Sequence, residues 1–303
     1  MNTPSRLVFF GNERLVSGLD HTDAPVLTGL IERGYNVVAV VANHTNGTSR
    51  SARKLEVAAI AEQHGIPLFL PNSPSDIIDE LSALKPDAAV LVAYGRILSQ
   101  RVIDVFSPIG IINVHPSLLP RHRGPTPIES TILEGDRTAG VSVMQLTAGM
   151  DEGPVYKQVS LPLHGTETKF ELYEQLATAG TTLLLDSLPG ILSGVLLPKA
   201  QQNSDVSVTS RISKTDGILS PITEEATALE RKIRAYPGYP KSHLSLYDTD
   251  VIVTSAKVVE SITDGPIVIA CANRTWLEVT SLIAPSGRAM SAEDFLRGYA
   301  KNV

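Results

Sequence analysis

The chain of 303 residues has one cysteine, no long apolar run and no excess of positive charge. A lone Cys271 excludes an intramolecular disulfide and is typical of a reducing compartment. No apolar stretch approaches the roughly 18–20 residues that a membrane-spanning helix needs. The N-terminus leads directly into the apolar segment Leu7-Val-Phe-Phe10 without a signal-peptide layout. We therefore expect a cytoplasmic protein that makes no membrane contact.

Motifs that define several common enzyme classes are also missing. The turn after the first apolar segment is Gly11-Asn12-Glu13-Arg14, without the Gly-x-Gly-x-x-Gly that dinucleotide-binding folds place there, so a nicotinamide-dependent oxidoreductase is disfavoured. The sequence has no phosphate-binding P-loop, no Gly-x-Ser-x-Gly turn and no Cys/His spacing typical of a zinc site. We expect no metal site and no activated serine or cysteine.

The charge balance is acidic, with 26 Lys and Arg against 32 Asp and Glu and a net charge of −6. The imbalance lies before residue 209, where 15 basic residues accompany 21 acidic ones, whereas the remainder carries 11 of each. Because phosphate contacts favour a basic surface, this balance argues mildly against tight nucleic-acid binding. It does not exclude a local basic face.

Continuously apolar segments separated by helical stretches are typical of a parallel sheet with crossover helices. The first part of the chain has such segments at 5–10, 37–41, 67–70 and 87–92. Helices are predicted from the turn after the first strand to Arg33, and over about 53–64, 75–84 and 167–192, with an edge strand at 154–162. We predict an α/β domain with a Rossmann-like, mostly parallel sheet over residues 1–192.

The last part of the chain has a different pattern. A polar stretch near 199–210 indicates a linker, which we place at 193–210. One predicted helix near 223–235 is followed by short β-rich runs at 243–247, 251–259, 266–271 and 276–283. This spacing is typical of a small β-barrel. We therefore predict a second, barrel-like domain over residues 211–303.

The pair Asn113 and His115 carries most of the functional information. The run from Gly110 to Pro116 indicates a short strand, on which residues two apart project from the same face. An amide can donate to a developing oxyanion, and an imidazole can carry a proton near neutral pH. A carboxylate from a later loop, Asp151, could orient the imidazole. These groups fit acyl transfer to a nucleophile outside the enzyme, although the pair alone also fits a polar strand end.

A stiff loop rich in proline and glycine follows this strand, where α/β folds place binding loops. It carries Arg121, His122 and Arg123, a small cationic cluster. The alternative for this cluster is a solvated loop without a ligand.

Three motifs resemble the signature of the folate-dependent formyltransferases: Asn113-Val-His115, Ser117-Leu-Leu-Pro-x-x-Arg-Gly124 and Met150-Asp151-x-Gly153. The segment 93–98, Ala-Tyr-Gly-Arg-Ile-Leu, resembles the one that lines the folate pocket in that family. Downstream, the segments 229–240 and 284–298 resemble the C-terminal domain of the methionyl-tRNA formyltransferases. The resemblance therefore extends over nearly the whole chain.

The resemblance implies 10-formyltetrahydrofolate as donor, the α-amine of methionyl initiator tRNA as acceptor and an OB-like C-terminal barrel. We expect a monomer, although the sequence does not disclose the oligomeric state. The resemblance also implies that Asn113 stabilises the oxyanion and that Asp151 holds the imidazole and an ordered water. His115 would either accept the amine proton, directly or through water, or donate to the oxyanion, and the sequence does not choose between these roles. The folate-binding residues that it implies are Arg96, Ile97, Leu98, Ser117, Leu118, Leu119 and Pro120.

Two features depart from the tRNA-directed members of the family. Pro116 stands where they usually have glycine, as in the single-domain glycinamide ribonucleotide formyltransferases. The basic loop after the second strand is short here, and Arg50 and Arg53 are its candidates for RNA contact, with a solvated helix start as the alternative.

Pro116 is treated as a tolerated variant, whereas the short loop and the acidic charge balance keep an N-formyltransferase of amino-sugar nucleotides as the alternative function, because that class has the same catalytic residues. A folate- or RNA-binding protein without catalysis is disfavoured, because binding alone does not require Asn113, His115 and Asp151 together.

Overall fold

The computed structural model describes residues 5–43, 55–202, 204–263 and 265–299. A seven-stranded sheet is formed by β1 (Arg6–Gly11), β2 (Asn36–Val41), β3 (Leu68–Phe69), β4 (Ala88–Val92), β5 (Ile111–His115), β6 (Thr138–Gln145) and β7 (Val155–Pro162). The helices of this part are α1 (Pro25–Glu32), α2 (Glu56–Gln63), α3 (Ile78–Ala83), α4 (Gln100–Asp104), α5 (Pro127–Glu134) and α6 (Lys169–Leu192). Among the described residues, no helix is long and apolar enough to cross a membrane.

The strands lie in the order β3-β2-β1-β4-β5-β6-β7. The first five are parallel, and β6 and β7 extend the sheet in antiparallel fashion. The order 3-2-1-4-5 is Rossmann-like, with its reversal between β1 and β4. The predicted fold class is therefore confirmed, although β6 and α5 were not predicted.

Both faces of this sheet are covered, which explains the continuously apolar strands. Ile112 and Val114 of β5 belong to the core that packs against α1 and α6. Ile111 belongs to the core on the opposite face, with Tyr94, Leu98 and other residues near α4. Since side chains alternate along a strand, Asn113 and His115 lie on the same face as Ile111.

The first helix begins much later than predicted, at Pro25. Left-handed backbone at Glu13 (φ 55°), Gly18 (φ 77°) and Ala24 (φ 44°) interrupts any helical path through residues 12–24. The Glu13 carboxylate instead accepts hydrogen bonds from the Val26 and Leu27 amides (2.9 and 2.8 Å). It thereby caps the start of α1, where dinucleotide-binding folds hold a phosphate.

The C-terminal part contains α7 (Ala226–Ala235), β8 (Ser242–Leu246), β9 (Thr249–Val259), β10 (Val268–Cys271), β11 (Thr275–Ile283), β12 (Ala289–Ser291) and α8 (Ala292–Tyr299). The strands are antiparallel in the order β10-β11-β9-β8, with β12 on β11. Register shifts between β9 and β11 accompany the curl of this sheet. Leu229 of α7 and Phe295 of α8 are fully buried in its core. The curled sheet fits an OB-like barrel, as predicted; α8 was not predicted.

Direct contacts join the two parts. Arg231 of α7 donates to the Glu134 carbonyl at the end of α5 (3.3 Å). The fully buried Lys169 of α6 donates to the carbonyls of Ser17 (2.8 Å) and Tyr239 (3.1 Å). Burial lowers the pKa of Lys169 to about 8, against an opposing effect of Glu129. The junction therefore combines polar contacts to backbone carbonyls with apolar packing, because Ala235 and Tyr236 belong to the core of the first part.

Candidate active site

Asn113 and His115 lie on β5 in the interior of the sheet, between β4 and β6. Asn113 pairs with Leu91 and Met144, and His115 pairs with Ser142. Both side chains are buried, with 6% and 5% of their surface exposed. The sheet therefore fixes the amide and the imidazole side by side on one face, as the spacing predicted.

The hydrogen bond of His115 defines its tautomer. Its Nε2 lies 2.9 Å from the backbone oxygen of His122. Because a carbonyl only accepts, Nε2 must carry a hydrogen. The other ring nitrogen, Nδ1, is 3.7 Å from Oδ2 of Asp151. In the neutral ring Nδ1 is the basic nitrogen, and a proton bound there would face the carboxylate.

The Asp151 carboxylate is held by glycine-dependent backbone. Asp151 has left-handed backbone (φ 52°), and its Oδ2 accepts a hydrogen bond from the Gly124 amide (2.8 Å). A Cβ at Gly124 (φ 107°) would lie 2.8 Å from the Thr209 backbone oxygen, and one at Gly153 only 1.8 Å from that of Gln145. The two glycines of the motifs are thus required sterically. The structure brings Asp151 to the imidazole.

The Asn113 side chain has no hydrogen-bond partner within the described residues. The Asn113 amide is not among the fully enclosed side-chain atoms that lack a partner in the described part of the chain. An amide that lies beside an imidazole on a buried face can donate to an oxygen of a bound substrate.

Backbone groups of the segment 117–120 are largely used within the protein. Ser142 donates to the Ser117 carbonyl (2.6 Å) and accepts from the Leu119 amide (3.1 Å). Gln158 donates to the Leu119 carbonyl (2.9 Å). Ser117 and Leu119 are buried, whereas Leu118 and Pro120 are half-buried. A ligand would therefore meet the Leu118 and Pro120 side chains first.

The three residues of the segment 96–98 differ in accessibility. Leu98 is buried with Ile111, on the face that carries Asn113. The Arg96 guanidinium donates to the carbonyls of Pro71 and Asn72. The Ile97 side chain is 85% exposed. Ile97 is therefore the side chain of this segment most available to a ligand.

The cationic loop does not form an open anion site. Arg121 donates to Glu134 (3.0 Å) and Asp136 (2.8 Å), and His122 Nε2 is 2.7 Å from Asp136 Oδ2. Arg123 donates to the side-chain oxygen of Gln201. The positive charges suggested as a cluster by sequence are thus used to hold the loop.

His122, Glu134 and Asp136 present ligand atoms close enough to hold a metal ion, a grouping that the sequence did not predict. The Arg121 guanidinium bridges both carboxylates, so a metal ion would have to displace it. In the present arrangement the group is an ion-pair network.

Two further polar residues were missed by sequence reasoning. Gln201 and Ser207, in the polar stretch suggested as linker, bind the backbone near Asp151 and His122. The sequence predicted no such contact, because a polar residue in a polar stretch carries no local signal. Arg50 and Arg53, the candidates for RNA contact, lie outside the described residues.

Open space lies beside these loops. A cleft of about 550 Å³ is bordered by Leu118–Arg121, by the first half of β7 and by the linker. A second opening of about 400 Å³ is lined by Arg123, Glu152, Pro154, Ala200 and Gln201. The loops that hold His115 and Asp151 are therefore reachable from solvent.

Comparison with known families gives two matches along the chain. Residues 14–188 match the formyl transferase family, and residues 211–300 match the formyl transferase C-terminal domain. The first match contains Asn113, His115 and Asp151.

Curated relatives match over nearly their whole length. The methionyl-tRNA formyltransferase of Halorhodospira halophila is 35% identical, covering 97% of this chain and 96% of that protein. The enzyme of the same name from Magnetococcus marinus is 34% identical, covering 98% and 96%. At this identity and coverage, the chain is similar to these enzymes along both of its parts.

Among solved structures, an N-formyltransferase from Helicobacter canadensis in complex with folinic acid and dTDP-3-aminofucose has a TM-score of 0.68. The match covers 91% of this chain and 99% of that one at 18% sequence identity. This likeness concerns the fold alone.

Proposed function

The chain belongs to the formyl transferase family, and on that premise we propose that it transfers the formyl group of 10-formyltetrahydrofolate to the α-amine of methionyl initiator tRNA. The curated relatives named methionyl-tRNA formyltransferase, similar over both parts of the chain, support this acceptor. The observation that carries the proposal is the Asn113 amide, which has no partner within the described residues, beside His115 and Asp151.

The folate donor supplies the formyl group. The residues present fit the attack of an amine on this formyl group. The Asn113 amide can donate to the formyl oxygen, and the basic nitrogen of His115 can accept the proton of the amine. A metal ion is not required by these roles.

Asn113 donates a hydrogen bond to the formyl oxygen as negative charge develops there. One such donor typically lowers the barrier by about 3–4 kcal/mol. His115 takes the proton of the attacking amine on Nδ1, and the Asp151 carboxylate, 3.7 Å away, stabilises the imidazolium that results. The His122 carbonyl holds the ring in the tautomer that leaves Nδ1 basic. The tetrahedral intermediate then breaks its bond to the folate nitrogen, which takes up the proton held by His115, so tetrahydrofolate and the formylated amine leave without a covalent bond to the enzyme.

The remaining assignments follow from the same proposal. Arg96–Leu98 and Ser117–Pro120 contact the folate, with Ile97 the most accessible of these side chains. Arg50 and Arg53 contact the tRNA. The catalytic domain extends over residues 1–192 and the tRNA-binding domain over 211–303, joined by residues 193–210, in a monomeric cytoplasmic enzyme.

A second candidate is N-formylation of an amino-sugar nucleotide. The Helicobacter canadensis enzyme, solved with folinic acid and dTDP-3-aminofucose, has the same fold, so this class of acceptor is kept as the second candidate. The 18% identity of that match, against 35% for the tRNA enzyme, makes it the weaker candidate.

A formyl-transfer assay with both classes of acceptor tests the proposal. The purified protein is given 10-formyltetrahydrofolate with methionyl initiator tRNA or with a panel of amino-sugar nucleotides, and His115→Asn is the matched inactive control. We expect formylation of the tRNA alone. Formylation of a sugar alone would retain the catalytic residues but refute the acceptor, and formylation of neither would refute the proposal.

A further inference from the structure

We infer that two residues of the linker segment, which we define as residues 199–210, are positioning residues for the catalytic groups: Gln201 holds Asp151 and Ser207 holds His115 through His122. The predicted effects on kcat rest on the proposed function. The structural content of the inference is independent, because it concerns hydrogen bonds within this chain.

Gln201 holds the backbone of the Asp151 loop. Its Nε2 donates to the carbonyls of Asp151 (2.7 Å) and Gly153 (2.8 Å). Its Oε1 accepts from Nε (3.0 Å) and Nη2 (2.7 Å) of Arg123. Both the nitrogen and the oxygen of the Gln201 amide are used, so the orientation of the amide is defined. Gln201 thus ties the loop carrying Asp151 to the loop that follows β5.

The hydrogen bonds of Gln201 stabilise an unfavourable backbone conformation at Asp151. Asp151 is in the left-handed region (φ 52°), which is unfavourable for a residue with a Cβ. Surrounding contacts must maintain such a conformation. The contacts from Gln201 bind the carbonyls on both sides of Glu152, and they keep the carboxylate directed toward the Gly124 amide and His115.

Ser207 acts on the other catalytic group through His122. Its Oγ accepts a hydrogen bond from the His122 amide (2.8 Å), its amide donates to the Pro120 carbonyl (3.3 Å), and its carbonyl accepts from the Arg123 amide (2.9 Å). His122 also has left-handed backbone (φ 54°), and its carbonyl binds His115 Nε2. Ser207 therefore determines where the carbonyl that sets the His115 tautomer lies.

The pairing continues beyond Ser207. The Thr209 amide donates to the Arg123 carbonyl (2.7 Å), and Thr209 Oγ1 accepts from the Thr126 amide (3.1 Å). Val208 forms a parallel bridge with Arg123. Residues 207–209 of the linker segment are thus paired along the loop after β5. A catalytic domain that ended at Leu192 would lack these contacts.

The test replaces Gln201 and Ser207 in the full-length protein. Gln201→Ala removes the amide, and Gln201→Glu keeps the shape and the contact to Arg123 but removes the donor to Asp151 and Gly153. Ser207→Ala removes the hydroxyl, and Ser207→Thr restores it. Ser210→Ala is the matched control, because Ser210 is exposed and its hydroxyl has no partner among the described residues.

We expect kcat for formyl transfer to fall about 10- to 100-fold in Gln201→Ala, Gln201→Glu and Ser207→Ala, since displacements near 1 Å can cost about 100-fold. The KM for the folate donor should stay within about threefold in each of these variants. Ser207→Thr should recover most of the activity, and Ser210→Ala should equal the parent protein.

The second measurement needs no substrate. The ¹⁵N chemical shifts of the His115 ring report which nitrogen carries the hydrogen, and the parent protein should have it on Nε2. Ser207→Ala should weaken that preference and Ser207→Thr should restore it. If the parent enzyme formylates no tRNA but these shifts behave as stated, the proposed acceptor fails and the positioning role stands.

Two results would overturn the inference. One is normal kcat in Gln201→Glu and Ser207→Ala together with an unchanged His115 spectrum. The other is an equal loss in Ser210→Ala, which would assign the effect to the segment as a whole.

Discussion

Two buried polar side chains of the seven-stranded sheet, Glu13 after β1 and Asn113 on β5, differ in how they are satisfied. The Glu13 carboxylate accepts two backbone amides at the start of α1. The Asn113 amide has no partner within the described residues. Both are almost fully buried, with 2% and 6% of their surface exposed. Burial alone therefore does not separate the two side chains; they differ because the Glu13 acceptors are used by backbone amides and the Asn113 amide is not used within the described residues.

Glu13 also explains why the sequence lacks the glycine pattern of dinucleotide-binding folds. A helix start beside the first strand is where phosphate binds in dinucleotide-binding folds. Here a side-chain carboxylate fills that position, which agrees with the missing glycine pattern. Burial raises the pKa of Glu13 to about 7, although the hydrogen bonds from Leu27 and Val26 oppose the shift. We therefore assign Glu13 to stability, whereas the proposed chemistry lies at β5.

The largest predicted effect concerns His115. Replacing it in His115→Asn removes the base, and we expect turnover to fall by about 10²–10⁴, the usual contribution of general acid–base catalysis. Steady-state formyl transfer measures the loss, and circular dichroism verifies the fold. Turnover within tenfold of the parent would mean that His115, like Glu13, has a structural role and is not the catalytic base.

A smaller loss is predicted for Asp151→Asn. The amide oxygen can still accept from Gly124, so the loop should persist, but the charge facing Nδ1 is removed. A hydrogen bond or close contact to a charged group contributes about 1.5–3 kcal/mol, so turnover should fall about 10- to 100-fold. The kcat and KM of this variant would be compared with those of His115→Asn. A loss as large as that of His115→Asn would give Asp151 a direct role in proton transfer.

For Glu13→Gln we predict a change in the pH dependence of the unfolding free energy and not in activity. Its folded pKa of about 7 exceeds the ordinary 4.5, so its protonation stabilises the fold fully below pH 4.5. This contribution is lost as pH rises through 7, and it amounts to at most about 3 kcal/mol. Unfolding by urea between pH 5 and 8 should therefore depend less on pH in Glu13→Gln than in the parent. Identical pH dependence in both proteins would contradict the shifted pKa.

The smallest effects are predicted in the segment 96–98. Ile97→Ala should raise the KM for the folate donor up to about tenfold, because burying an isoleucine side chain against a ligand contributes about 1.5 kcal/mol or more. It should leave unfolding unchanged, since Ile97 is 85% exposed. Arg96→Ala, the matched variant, should lower stability by about 1 kcal/mol and keep KM within about threefold. A raised KM in Arg96→Ala together with a loss of stability in Ile97→Ala would contradict this assignment of the two side chains.

The sequence predicted the strands that are apolar on both faces, and it placed Asn113 and His115 correctly on one face of β5. It missed β6, because Gly140 and Ser142 interrupt the apolar pattern of Thr138–Gln145. Ser142 is needed there to hold the Ser117 and Leu119 backbone, a requirement visible only in three dimensions.

The same limit applies to the start of α1 and to the linker segment. The sequence did not indicate that Glu13 and Ala24 would adopt left-handed backbone, so the helix was predicted too early. Gln201 lies 50 residues from Asp151 in the chain and has no motif around it. Catalytic roles, folate contacts and tRNA contacts stay predictions for the experiments above.

The most direct test of the account measures turnover and unfolding free energy together in Asn113→Ala. Because the amide has no partner within the described residues, its removal should leave the unfolding free energy and the KM for the folate donor nearly unchanged. Turnover should fall by about 10²–10³, the cost of one oxyanion donor. Near-normal turnover, or a loss explained by unfolding, would contradict the claim that the unpaired amide marks the reactive end of the sheet.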